Sequence, residues 1–310
     1  MLRPSALIFL VAAAAAAQTP RPQPAPRAPT FRVGIEVVHL TVSVTDNLDR
    51  YVTQLGAEQF AVFEDGVRQD LTLFTHQDLP ISLVLLVDTS ASMEKKLAAA
   101  QAAAVRFVRT LKPEDRAQVV QFNDRLKVLQ DFTSDQPKLE AAVAQLRAVG
   151  PTSLHNALYV SLKELDRQKQ EAELRRRAVV LLSDGEDTSS LVSDEQVIGL
   201  AREAEIGVYA VRLRRKRVPD RDRMSFSKAT YLLETLARDT GGRVYFPDAL
   251  SELEAVYDRI AEELRTQYNL GYVSSNDRRD GKWRRIVVRV PSREDLQIRH
   301  RLGYHAVKPS

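Results

Sequence analysis

The sequence predicts an α/β fold: a doubly wound, Rossmann-like domain with a central, mostly parallel sheet, inserted between two β-rich segments that form one β-sandwich. Three observations predict it. Residues 81–87 (ISLVLLV) are apolar at every position but Ser82, with no polar alternation, as in a strand covered on both faces by helices. Helical periods then alternate with further apolar runs to about residue 266, the pattern of a parallel sheet wound by crossover helices. Residues 31–78 and 267–310, on either side, show strand patterns and turn signals with no helical period. Neither flank is large enough to stand alone, and that is the physical reason to join them.

Composition narrows the function. The 310 residues are 44% hydrophobic and 28% charged, which fits a globular protein rather than a disordered one. The net charge of +4 arises from 45 basic and 41 acidic residues, too small an excess to serve as a nucleic-acid footprint. No cysteine is present, which excludes thiolate catalysis, zinc–thiolate sites and disulfides. A chain this long can instead be held by its core.

Residues 1–17 read as a secretory signal peptide. Arg3 supplies the positive end, an alanine-rich apolar run follows, and Ala15-Ala16-Ala17 fits a small-residue cleavage site. The run is shorter than the ~20 residues of a spanning helix, so no membrane span is expected after cleavage. Prolines at 20, 22, 24, 26 and 29 make 18–30 an extended linker. In 31–78, Val38, Leu40, Val42 and Val44 alternate with polar residues, while Asp46-Asn47 with Asp49 and Glu64-Asp65-Gly66 signal turns.

The inserted domain, 79–266, begins with the apolar strand. A helix is expected over 94–111, stopped at Lys112-Pro113. Strands follow at 116–122 and 126–132, paired across Asn123-Asp124. Ser134 or Asp135 caps a helix to about 148, and another helix covers 154–169. Arg175-Arg176-Arg177, read as solvated, leads into strand 178–182. Ser193, with Gln196 at the capping-box position, opens a helix to about 205, and strand 206–213 comes next. The basic stretch 214–227 (RRKRVPDRDRMSFS) reads as a long exposed loop. A helix at 230–240 stops at Gly241-Gly242, an edge strand covers 244–246, and an amphipathic helix covers 250–266. In 267–310, strands are expected at 268–272, 284–290 and 297–304, with Asp280-Gly281 as a hairpin turn.

The chemistry concentrates where the apolar strand breaks into Asp88-Thr89-Ser90-Ala91-Ser92. A carboxylate and two hydroxyls, two residues apart, stand at the carboxyl end of a central strand, the edge where open α/β sheets bind ligands. Small oxygen donors without sulfur or imidazole suit a hard cation such as Mg²⁺ or Mn²⁺. The competing reading is that Asp88 or Ser90 merely caps the following helix.

Asp88-x-Ser90-x-Ser92 resembles the DxSxS signature of the von Willebrand factor type A (VWFA) domain and its metal-ion-dependent adhesion site (MIDAS). Two further loops of that family have counterparts in order: Gly150-Pro151-Thr152-Ser153-Leu154, with Thr152 as the third element, and Ser183-Asp184-Gly185 after an apolar strand. The resemblance implies that Ser90 and Ser92 ligate a divalent cation directly, and that Asp88, Thr152 and Asp184 do so directly or through water. It also implies that an acidic side chain of a protein partner completes the coordination. Mg²⁺ is the first expectation, with Mn²⁺ and Ca²⁺ as alternatives. Glu186 and Asp187 add negative potential nearby. The layout is also similar to a bacterial secreted group of VWFA-related proteins, in which an EDG turn and a GY strand flank the domain. Here those are Glu64-Asp65-Gly66 and Gly271-Tyr272 or Gly303-Tyr304.

The function expected is a secreted or periplasmic, non-enzymatic adhesion or interaction module. The alternatives are a metal-dependent phosphohydrolase or a structural envelope protein with a vestigial metal site. A haloacid-dehalogenase-type phosphatase needs D-x-D, and position 90 is Ser. A serine hydrolase of the G-x-S-x-G type lacks its elbow, and His155 reads as a helix-start residue. Metal chelatase subunits also carry such domains, but an intracellular setting conflicts with a signal peptide.

Overall fold

A computed structural model of the chain describes residues 37–168, 175–184, 187–213 and 223–308, with the side chains of 223–227 excepted. The expected signal peptide, the proline-rich linker, residues 31–36, Gly185, Glu186 and most of the basic stretch 214–227 lie outside the described residues.

Four strands open the fold: β1 (Val37–Thr45), β2 (Ala61–Glu64), β3 (Val67–Gln69) and β4 (Leu71–Thr75). The α/β domain follows as β5 (Ile81–Asp88), α1 (Leu97–Arg109), β6 (Arg116–Phe122), β7 (Leu126–Thr133), α2 (Gln136–Ala144) and α3 (Leu154–Arg167). It continues with β8 (Arg176–Ser183), α4 (Asp194–Ala204), β9 (Gly207–Arg212), α5 (Arg223–Thr240), β10 (Arg243–Tyr245) and α6 (Leu253–Thr266). Last come β11 (Tyr268–Val273), β12 (Trp283–Arg289), β13 (Gln297–Arg299) and β14 (Gly303–His305).

The central sheet has six strands in the order β10-β9-β8-β5-β6-β7, parallel except for β7 at its edge. Every residue of β5 is buried, as its unbroken apolar run requires. Leu83, Leu85 and Val87 pack with α1, α2 and α6 on one face, and Val84 and Leu86 pack with α3, α4 and α5 on the other. This is the doubly wound arrangement.

The flanking segments interleave. One four-stranded sheet runs β13-β1-β11-β4 and the other β14-β12-β2-β3, so each takes two strands from either end of the chain. Val38, Leu40, Val42 and Val44 face a shared core with Tyr268, Leu270, Tyr272, Ile286 and Val288. The β2–β3 turn places Asp65 and Gly66 at φ 48° and 86°, the type I′ geometry that such a turn favours. Glu64 points inward and accepts hydrogen bonds from Tyr272 Oη at 2.9 Å, Tyr304 Oη at 3.0 Å and Ser274 Oγ at 2.6 Å. Both Gly-Tyr pairs thus converge on the glutamate of the EDG turn, rather than one serving as an alternative to the other.

Sandwich and α/β domain meet around a second buried acid. Glu263 of α6 is fully buried and accepts from Ser43 Oγ (3.0 Å), Tyr51 Oη (2.9 Å), Tyr209 Oη (3.1 Å) and Arg299 Nη2 (2.7 Å). Its donors come from both parts of the molecule.

Some expectations are corrected. Arg176 is not solvated: it is 5% exposed, its guanidinium donates to the carbonyls of Leu264, Gln267 and Gln77, and burial pulls its pKa down to about 10. Asp280-Gly281 is a turn but joins no hairpin, because β11 pairs with β1 and β4 while β12 pairs with β2 and β14. The helix capped by Asp135 ends at Ala144 rather than near 148, and α5 begins at Arg223, inside the stretch read as loop. Residues 91–93 form a separate 3₁₀ turn, so α1 begins later than expected.

Candidate metal centre

The site is assembled at the carboxyl ends of β5 and β8, which are neighbours in the sheet. Asp88 ends β5 and is fully buried. Its Oδ1 accepts from the backbone N–H of Ser90 at 2.8 Å and its Oδ2 from Ser183 Oγ at 2.6 Å. Burial, aided by the charge of Asp184, pushes the Asp88 carboxyl above the usual aspartate range, despite those hydrogen bonds.

Ser90 precedes the 3₁₀ turn but its side chain caps nothing. Its Oγ instead lies 3.1 Å from Ser92 Oγ, and Ser92 Oγ donates to Asp184 Oδ1 at 2.6 Å. Ser90, Ser92 and Asp184 therefore meet directly, and Asp88 orients the loop from beneath.

Thr152 arrives on a loop fastened to both neighbours. Val149 N–H donates to Thr89 O at 2.7 Å and Ala91 N–H to Gly150 O at 2.9 Å, so the loops lie edge to edge. Gly150 sits at φ 79°, where glycine is at ease. On the other side, Thr152 O accepts from the N–H groups of Thr188 and Ser189 at 2.9 and 3.1 Å. Among the described residues the Thr152 hydroxyl has no hydrogen-bond partner, the other four candidates included.

One group was missed in the sequence. The Lys96 ammonium forms an ion pair with Asp184 Oδ2, on the carboxylate that also receives Ser92. Its side chain is 21% exposed and Asp184 is fully buried. The available signal was spacing: Lys96 follows Ser92 by one helical turn, on the same short connection. Asp187 serves the loops rather than the centre, bonding His155 N–H at 3.2 Å and Ser190 Oγ at 2.5 Å. His155 sits in the first turn of α3 with Nδ1 3.1 Å from Val192 O. Glu186 lies outside the described residues.

The donors fit a divalent cation of the Mg²⁺ type. Two fully buried carboxylates stand with the hydroxyls of Ser90 and Ser92, and the positive charge among them is Lys96, the residue just before α1. Oxygen-only donors with spare negative charge are what a hard, octahedral ion requires. Lys96 on Asp184 is a cation held in the same cluster. Among the described residues, no three of His, Cys, Asp and Glu converge as a metal cage, so a metal here depends on the hydroxyls.

Residues 83–186 match the family model described as the von Willebrand factor type A domain. Human inter-alpha-trypsin inhibitor heavy chain H4 is 25% identical over 210 residues, which are 64% of this chain and 22% of that one. The chain thus spans about a fifth of the length of the curated heavy chains it matches. Among solved structures, the pilus adhesin SpaC of Lactobacillus rhamnosus GG superposes with a TM-score of 0.50 at 14% identity, over 64% of this chain and 32% of that one. Proximal thread matrix protein 1 of the mussel byssus, with a zinc-occupied MIDAS motif, gives 0.50 at 15% identity, over 61% and 49%. At such identities these two likenesses bear on the fold alone.

Proposed function

We propose that this chain is a non-enzymatic adhesion or interaction module, secreted or periplasmic, that binds a protein partner through a divalent cation held by Asp88, Ser90, Ser92, Thr152 and Asp184. The observation that carries the reading is the direct convergence of Ser90, Ser92 and Asp184 at the carboxyl edge of the sheet, with Asp88 beneath them. When bound, the metal supplies an electrophilic seat for an acidic side chain of the partner. The rest is done by the chain: Asp88 fixes the loop through Ser90 N–H, the Gly150 loop sets Thr152, and Asp184 holds the charge. A pilus adhesin and a matrix protein with a zinc-occupied MIDAS motif are among the structures similar in fold, which supports such a role. Among the described residues no helix is long and apolar enough to cross a membrane.

A second reading has its own observation. With Lys96 on Asp184, the cluster is already partly neutralised, as in a structural protein whose metal loops are vestigial. Calorimetric titration of Mg²⁺ and Mn²⁺ into EDTA-stripped protein, beside Ser90→Ala, separates the two. The adhesion reading expects saturable one-site binding that the variant loses. Absence of binding at millimolar metal favours the vestigial site, and partner binding retained in EDTA sinks the metal-dependent reading.

A further inference from the structure

At the opposite end of the sheet from the metal centre, sandwich and α/β domain leave a cavity of about 350 Å³ between them. The outer face of β1 and β11 forms one wall; the first residues of β5, β8 and β9 and the last turns of α4 and α5 form the other. Its two described acids are already engaged: Asp239 with Arg202 at 2.7 Å and Glu205 with Arg301 at 2.8 Å. Arg177 is held more loosely, its Nη1 donating to Leu165 O at 3.5 Å. Its closest described carboxylates, on Asp166 and Glu205, are each 3.9 Å away, and burial lowers its pKa.

The unpaired polar atoms point the same way. Arg176, Arg301 and Asn269 line this cavity, and each has a buried donor, Arg176 Nε, Arg301 Nε and Asn269 Nδ2, without a hydrogen-bond partner among the described residues. The three residues are 5%, 7% and 8% exposed. Asn269 lies on β11 between Tyr268 and Leu270, whose side chains belong to the sandwich core, so alternation turns its amide out of that core and toward the cavity. Buried donors without acceptors cost stability, and a buried guanidinium is satisfied by a ligand that brings negative oxygen atoms.

We propose that this interdomain cavity binds a small multivalent oxyanion, a phosphate- or polycarboxylate-bearing molecule, with Arg177 supplying the charge and Asn269 Nδ2 an orienting donor. The site is independent of the metal centre and of the adhesion reading.

The test uses the full chain in EDTA at constant ionic strength, titrated calorimetrically with inorganic phosphate, pyrophosphate and citrate. Saturable one-site binding of at least one anion is expected, weakened roughly tenfold or more in Arg177→Gln and lost in Asn269→Asp, which places a carboxylate in the cavity. The preference between pyrophosphate and citrate then identifies the source of the charge. Heats that never saturate, or equal affinity in both variants and the parent, overturn the proposal. Both substitutions touch buried positions, so hydrogen exchange on the unaltered protein is the second measurement. Pyrophosphate or citrate should slow exchange in 175–178 and 268–271; exchange there unchanged by every anion overturns the proposal whatever the variants do.

Discussion

Replacing Lys96 with methionine tests whether the cation-shaped charge in the candidate centre is held by structure or merely rests there. Asp184 is fully buried and Lys96 keeps 21% of its side chain exposed, so the pair is closer to a buried ion pair than to a surface one. Removing one partner of a buried pair costs about 3–5 kcal/mol, because the other charge stays behind uncompensated. The residual access of water to Lys96 argues for the lower end, about 3 kcal/mol. In a folded unit of this size that is a fall of roughly 6–12 °C in Tm. The assay is thermal and urea unfolding of Lys96→Met and the parent, each in EDTA and in excess Mg²⁺. In EDTA the variant should be the less stable. In Mg²⁺ the gap should close, since a divalent cation compensates Asp184 without the lysine, and the stabilisation grows with occupancy. Metal affinity should also rise, by roughly tenfold to a hundredfold, because the ion no longer displaces an ammonium. An equal loss of stability in EDTA and in Mg²⁺ would refute the reasoning, for Lys96 would then have a role unconnected with the metal position.

Three further substitutions probe the same architecture. Asp88 has a folded-state pKa raised by burial, so its charged form costs stability at neutral pH, a cost that fades as pH falls through the raised value. Asp88→Asn should therefore resist urea better than the parent in EDTA at pH 7 while losing any response to Mg²⁺; a less stable variant contradicts the sign. Glu263→Gln leaves the partly buried Arg299 without its carboxylate and sets a fully buried amide among four donors; urea unfolding should show a loss of about 3 kcal/mol, and a loss under about 1 kcal/mol would show that the hub is not coupled to stability. Gly242→Ala would place a Cβ 2.0 Å from the carbonyl oxygen of Val208, which is backbone and cannot swing aside; β9 and β10 must part, with a loss of about 1–3 kcal/mol in the same assay.

What the sequence made legible follows the range over which its signals act. The apolar run of β5 and the alternation of β1 are local patterns of burial, and both strands are buried on the faces those patterns require. Ser193 and Gln196 form their capping box because all its atoms lie within four residues. Arg176 escaped the same reading, since the carbonyls of Leu264 and Gln267 that hold it are 88 and 91 positions away. Asp280 makes a local contact, its Oδ1 accepting from Lys282 N–H at 3.0 Å, yet pairing with distant strands decides which sheet follows it. Of the five residues that the sequence nominates for the candidate centre, hydrogen bonds join Ser90, Ser92 and Asp184 directly. Lys96 stands one helical turn past Ser92, but that spacing alone does not mark a lysine as turned inward; the buried carboxylate of Asp184, just past β8, draws it there.

The two proposed sites share strands but should not share energy. Residues of β5 and β8 line the cavity at one end, and Asp88 and Asp184 stand at the other, about 20 Å away for strands of this length. Coupling across that span needs an element with two discrete arrangements that both ligands bias. β5 is buried along its whole length and paired in register with β6 and β8, so sliding it by one residue would invert which side chains face which helix layer. No smaller alternative is open to it, because the side chains on both faces are close-packed. The oxyanion and the metal should therefore bind additively, each with the same affinity whether or not the other is present. Titrating Mn²⁺, with EDTA removed, into protein saturated with pyrophosphate bears on this only after correction for the metal–pyrophosphate complex; Arg177→Gln avoids that chemistry. If Arg177→Gln leaves Mn²⁺ affinity unchanged, the sheet is a rigid spacer between independent sites. A shift of tenfold or more would mean that the strands move, and that the cavity regulates adhesion.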